Sequence, residues 1–294
     1  MEIGLHPVTF RAPGGPGDTG AALARLGRRA DDLGVHSIWP MDHLFQIPRF
    51  GTADEPMLEG FVALTWLAAA TERVELGLLA TAATYRAPGL TLKALSSLDV
   101  LAGGRTWLGL GAGWNEDEAV GLGLPFPPLR RRFEVLDDVL RAARGFFADD
   151  RAPFRGTHVE LPEPRNVPAP LRRPPILVAG GGEQRTLRLV ARHADACNVL
   201  EDLAAPKIAV LRERCEEEGQ PFDRLVISTT GPFGPTDSAE RTLDRLGRLA
   251  ELGVDLVILD TGLATADEEL DHLERILPAA RALGRPWPQA RAVT

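Results

Sequence analysis

The chain has 294 residues, 44% of them hydrophobic, enough for one large core or two small ones. A formal charge of −8 and an isoelectric point near 5.4 argue against nucleic acid as the main partner, because a phosphate backbone calls for a basic face. Cys197 and Cys215 form no C-x-x-C pair, the start MEIGLHPVTF carries an acid at once, and no run nears the ~20 apolar residues of a membrane span, which together suggest a cytoplasmic protein with no membrane partner.

Residues 2–7 read as a buried strand with His6 at its end. Leu23, Leu26, Ala30 and Leu33 then recur at helical spacing, and Gly34 is placed to close that helix. Residues 35–39 form a second strand that runs into Pro40, Met41, Asp42 and His43 and then into an irregular segment up to Met57. Residues 61–70 are helical, 74–81 a third strand, and Pro88 starts a helix that ends at Gly103 and Gly104. A fourth, buried strand carries Trp107, Leu108 and Leu110, punctuated by Gly109, Gly111 and Gly113, the pattern of a backbone that comes close to something. Asn115, Glu116, Asp117 and Glu118 open a helix with acids suited to its positive end, and an amphipathic helix with Phe133, Leu136, Val139 and Leu140 follows.

Prolines at 153, 162, 164, 168, 170, 174 and 175 interrupt the pattern over about 149–175. This reads as an insertion, with a short extended pair around 157–161, because strand–helix alternation resumes unchanged after it. Strands follow at 176–179, 196–200, 225–230 and 254–260, separated by helices over 187–194, 207–218 and 243–252. A helix over 270–283 and a proline-containing tail finish the chain. Eight strands alternating with helices predict a parallel (β/α)8 TIM barrel as a single domain over 1–294, with the insertion after the fourth βα unit. A doubly wound open sheet is the alternative. It is disfavoured by the strand count and by the glycine spacing, which puts Trp114 where a dinucleotide fingerprint needs its third glycine.

Barrel chemistry sits at the C-terminal ends of the strands, which directs attention to His6, Asp42, His43, Thr81, the segment from Gly111 to Asn115, Gly180, Gly181, Gly182, Asn198 and Asp260. A histidine beside an aspartate at such an end can orient a ligand ring or shuttle a proton near neutral pH. The three glycines at 180, 181 and 182 join a strand to a helix, where free amides and the helix dipole suit a phosphate. The six histidines show no close spacing for a metal, and no G-x-S-x-G marks a nucleophile. An apolar pocket with a phosphate site and no metal implies a bound organic cofactor.

The segments WPMDHL (39–44), LGLLATAATYRAPGLTLKALSSLDVLAGGRTWLGLGAGWNEDE (76–118) and ILVAGGGEQRTLRLVARHADACNVL (176–200) resemble the luciferase-like monooxygenase superfamily. Within it, they are most similar to coenzyme F420-dependent oxidoreductases of actinobacteria. The resemblance implies a dimeric barrel that binds a deazaflavin, with Asp42 and His43 facing the ring. Leu79 and Ala80 would form a cis peptide behind it, and Thr81 would bond the ring or its side chain. Gly113 and Asn115 would border the ring and ribityl chain, while Gly180, Gly181 and Gly182 would hold the phosphate. The family's sugar-phosphate dehydrogenases carry a catalytic Glu where this chain has Trp114, and they use lysines that are scarce here. The expected small-molecule substrate is therefore apolar and stacked near Trp114, with His43 and Trp114 as catalytic candidates and His6 in the substrate pocket. An FMN-dependent monooxygenase and a cofactor-binding protein without turnover are the alternatives.

Overall fold

Successive side chains on a strand point to opposite faces, and the apolar residues of this chain sort themselves accordingly into two layers. The computed structural model describes residues 1–284 and Trp287. Its strands are β1 (Glu2–Thr9), β2 (Ser37–Ile38), β3 (Glu75–Gly77), β4 (Thr106–Gly111), β5 (Ile176–Ala179), β6 (Ala196–Leu200), β7 (Val226–Gly231) and β8 (Leu256–Gly262). All pair in parallel with their neighbours, and β1 pairs with both β2 and β8, so the eight strands close into a barrel. A two-residue continuation of β3, Thr81–Ala82, pairs further along β4. The helices are α1 (Thr19–Leu33), α2 (Gly60–Ala70), α3 (Pro88–Leu101), α4 (Glu116–Gly121), α5 (Leu129–Phe147), α6 (Thr186–His193), α7 (Ala204–Glu217), α8 (Ala239–Glu251) and α9 (Ala266–Arg281). No described helix is long and apolar enough to cross a membrane.

The inner layer comprises Trp39, Trp107, Leu177, Ala196, Val226, Leu256 and Ile258, with Trp287 packed against it. Residues of opposite parity, such as Leu108, Leu110, Ile176, Val178, Val257 and Leu259, belong to the outer core shared with the helices. Trp39 is fully buried, donates its indole N–H to Ser37 Oγ at 2.7 Å, and meets Trp107 edge-on at 5.7 Å. Two inward glycines make room for this packing. A Cβ on Gly77 would lie 2.3 Å from the Trp39 ring, and one on Gly109 would lie 1.9 Å from the Leu78 carbonyl oxygen.

Helix boundaries follow local signals. Gly34 ends α1 in the left-handed conformation with φ 72°, and Gly253 follows α8 with φ 86°. The strands around β2 and β3 depart from expectation. The second strand pairs over two residues only, because Trp39 swings into the lumen and Pro40 has no N–H to donate. The third breaks between Gly77 and Thr81, where the chain bends past Gly109. In the proline-rich segment the extended pair is Phe154–Arg155 with Glu160–Leu161, antiparallel and starting earlier than predicted. Most of the proline-containing tail lies outside the described residues.

Gly77→Ala should destabilise the fold by about 2–3 kcal/mol in denaturant titration, as an overpacked core does. Gly247→Ala, in α8 with open space around its Cβ, should instead stabilise by about 0.5–1 kcal/mol. Equal effects of the two would contradict this packing argument.

Candidate active site

At the C-terminal ends of the strands the lumen opens into a cavity of about 500 Å³, lined by residues from β1 to β7 and the loops that follow them. Part of the lining is apolar and mostly small: Leu79, Ala80, Ala82, Gly111, Ala112 and Gly113. The Leu79–Ala80 peptide in this part is cis. Gly113 has φ 76°, and a Cβ there would press within 2.9 Å of the Ala82 methyl. The opposite end is formed by Gly180, Gly181, Gly182 and Thr186. A Cβ on Gly182 would lie 2.9 Å from Thr186 Oγ1, and one on Gly181 would lie 3.2 Å from Lys207 Cε. Lys207 is one of two lysines in the chain; it stands beside this glycine run, paired with Glu183 at 2.7 Å.

His43 lines the cavity and meets Trp114 edge-on at 5.2 Å. Its Nδ1 is 2.6 Å from Glu118 Oε1. Glu118 is wholly buried and also accepts from the amides of Leu44 at 2.6 Å and Phe45 at 3.0 Å and from the Tyr85 hydroxyl. Burial alone would raise its pKa. The hydrogen bonds from His43, Tyr85 and Phe45 outweigh that and hold it below the usual carboxylate value. The ionised carboxylate accepts a hydrogen bond from Nδ1–H, which leaves Nε2 as the ring edge available to a ligand.

Asp42 is buried at the edge of the cavity, with both carboxylate oxygens engaged by Arg86 at 2.6 and 2.7 Å. Arg86 also bonds Glu59 and donates to Thr81 Oγ1 at 2.8 Å. Burial would lower the Arg86 pKa, but Asp42 and Glu59 outweigh it and raise it. Gly60, at the start of α2, is required here, since a Cβ would lie 2.4 Å from Asp42 Oδ1. His6 is 6% exposed and places Nδ1 2.5 Å from the Trp39 carbonyl. Burial drives its pKa down to about 4, against the raising effect of that bond and with help from His43 and Arg49. Asp260, in register with His6 on β8, is pushed up to about 6 by burial, which the Arg49 guanidinium at 3.4 Å opposes.

The structure gathers His6, Asp42, His43, Leu79, Ala80, Gly113, Trp114, Gly180, Gly181 and Gly182 around one cavity. It leaves two expected cofactor contacts out of the lining. Thr81 turns to Arg86 because a buried guanidinium needs acceptors. Asn115 sits at the N-terminus of α4 without a side-chain cap bond. Asp42 lines the cavity and gives both carboxylate oxygens to Arg86. Sequence reasoning missed Glu118 as a partner of His43, along with Tyr85, Arg86, Thr186, Lys207 and Thr230. Strand parity could have found Thr230, two residues on from Ser228 at the end of an inward-facing row.

His6 gives a pH test. Its folded pKa lies below the ordinary 6.5, so the unfolded chain binds a proton that the folded chain refuses. The associated stability is complete above pH 6.5 and falls away towards pH 4, by about 3 kcal/mol. His6→Gln should lose less stability than the parent over that window in urea titrations. Parallel curves for the two proteins would refute a neutral, buried His6.

A sequence profile of the luciferase-like monooxygenase family matches residues 1–290. The F420-dependent glucose-6-phosphate dehydrogenase of Kineococcus radiotolerans is 34% identical over 161 residues, covering 54% of this chain and 47% of that protein. The match thus spans about half the length of that relative. Among solved structures, an F420-dependent secondary alcohol dehydrogenase in complex with an F420–acetone adduct superimposes with a TM-score of 0.80 at 16% identity, covering 95% of this chain and 99% of its own. A riboflavin lyase with modified FMN and riboflavin gives 0.79 at 14%, covering 99% of this chain and 94% of its own.

Proposed function

The chain belongs to the luciferase-like monooxygenase family, and from that premise we propose that it is an F420-dependent oxidoreductase acting on a small, apolar organic substrate. The observation that carries this reading is a single cavity lined by small apolar residues and by a run of three glycines beside Thr186 and Lys207. The cavity size lies in the range of small-molecule sites. Leu79, Ala80, Ala82, Gly111, Ala112 and Gly113 would hold a planar ring system. Gly180, Gly181, Gly182, Thr186 and Lys207 would hold a phosphate, where added Cβ atoms would fill the cradle. When bound, the deazaflavin supplies the two-electron centre for hydride transfer.

The chain's own residues orient, exclude water and handle one proton. His43 holds or releases that proton at Nε2, with its ring fixed by Glu118 at Nδ1. Trp114 supplies an apolar edge next to His43, which supports an apolar substrate over the sugar phosphate of the Kineococcus relative. Asp42 contributes through Arg86, by fixing the segment that carries His43. The chain acts as one barrel domain. Exposed Val62 and Trp66 on α2 and Leu90 on α3 support a homodimer, and the two buried, free cysteines support a cytoplasmic setting. FMN in the riboflavin lyase keeps a flavin monooxygenase as the second reading.

Equilibrium binding should favour F420 over FMN by at least about tenfold, or about 1.4 kcal/mol. Tighter FMN binding with oxygen-dependent turnover would reverse the assignment. His43→Ala should slow single-turnover hydride transfer by about a hundredfold while leaving F420 affinity nearly unchanged. A variant with an unaltered rate would point to a cofactor-binding protein or to another proton donor.

A further inference from the structure

Hydrogen-bond directions at the floor of the cavity are fixed from outside it. On one side, Ser228 Oγ donates to the Cys197 carbonyl at 2.7 Å, which commits its only proton. Ser228 Oγ therefore accepts from Asn198 Nδ2 at 3.1 Å. That sets the amide so that Oδ1 faces Thr230, and Oδ1, having no proton, takes the one on Thr230 Oγ1 at 3.0 Å. Thr230 is left with lone pairs only. On the other side, the Trp39 carbonyl lies 2.5 Å from His6 Nδ1 and can only accept, so Nδ1 bears the hydrogen and Nε2 bears a lone pair. The low pKa of His6 keeps the ring neutral at pH 7. Two relays, each anchored on a backbone carbonyl, thus end as acceptors lining the same cavity.

We propose that His6 and Thr230 are specificity-determining residues that select a hydroxyl-bearing substrate over its carbonyl counterpart. The proposal rests on the reading that an organic substrate occupies this cavity. A hydroxyl donates to a buried acceptor and satisfies it, whereas a ketone oxygen brings a further acceptor and leaves the floor unpaired. The surrounding wall of Leu79, Val199, Leu200 and Leu203 suits an apolar body around that single donor.

Cyclohexanol and cyclohexanone, matched in shape and differing in the polar group, test this by NMR titration of the purified protein with and without F420. Cyclohexanol should bind at least about tenfold more tightly than cyclohexanone. Thr230→Val should lower that ratio severalfold by weakening the alcohol alone, with His6 supplying what preference remains, and Thr230→Ser should restore it. Equal affinities in the parent protein, or an equal loss of both ligands in Thr230→Val, would overturn the proposal. A Thr230→Val variant that weakens F420 and leaves the ratio intact would overturn it as well, since the donor would then be a ring N–H. Failure to bind F420 at all strikes the cofactor reading, while the alcohol-to-ketone ratio of the purified chain still decides this one.

Discussion

Glu118 has no contact with solvent, and a carboxylate so placed must find a hydrogen bond for each of its lone pairs or lose its charge. It finds them on two other segments, His43, Leu44 and Phe45 after β2 and Tyr85 after the β3 continuation, while itself standing on α4 after β4. The rim of the cavity is therefore tied together by one buried charge. The same charge sets the tautomer of His43, so the structural tie and the chemical orientation are a single interaction. An apolar side chain here would leave two amides and a phenol unpaired as well as freeing the imidazole.

A second, half-buried charge performs the same service for the neighbouring residue. Arg86 binds Asp42, Glu59 and Thr81, and lies over the Phe61 ring at 4.9 Å. Glu59 also caps α2 by accepting from the Val62 amide, so the start of that helix is fixed relative to the segment carrying His43. Each residue of the Asp42–His43 pair thus has its own charged partner, Arg86 for Asp42 and Glu118 for His43.

Helices and buried strands were legible because their signals are local. Gly34 and Gly253 stop helices through their own backbone freedom, and the strands at 176–179 and 196–200 appear where their apolar runs stand. The cis peptide at Leu79–Ala80 was reached through family likeness and not through local chemistry. Partners of buried charges were not legible, since Glu118 stands 75 positions from His43 and Arg86 stands 44 from Asp42. In the sequence Glu118 reads as an acid at a helix start, which it also is. Only the closed barrel reveals that this turn of α4 faces His43. The shortness of β2 likewise depends on Trp39 filling the lumen, a property of the whole ring of strands.

The rarity of lysine gives the glycine cradle a chemical identity that the rest of the surface lacks. Amine-directed reagents meet only Met1, Lys93 and Lys207 in this chain. The Met1 amine bonds the Leu283 carbonyl, and Lys93 is occupied by the Val167 carbonyl at 2.8 Å. Lys207 stands beside Gly181 and is held by a single exposed carboxylate, Glu183. Acylation of that one side chain would cancel its charge beside Gly181, so the chain carries a built-in attachment point at the rim of the cavity, with no cysteine needed.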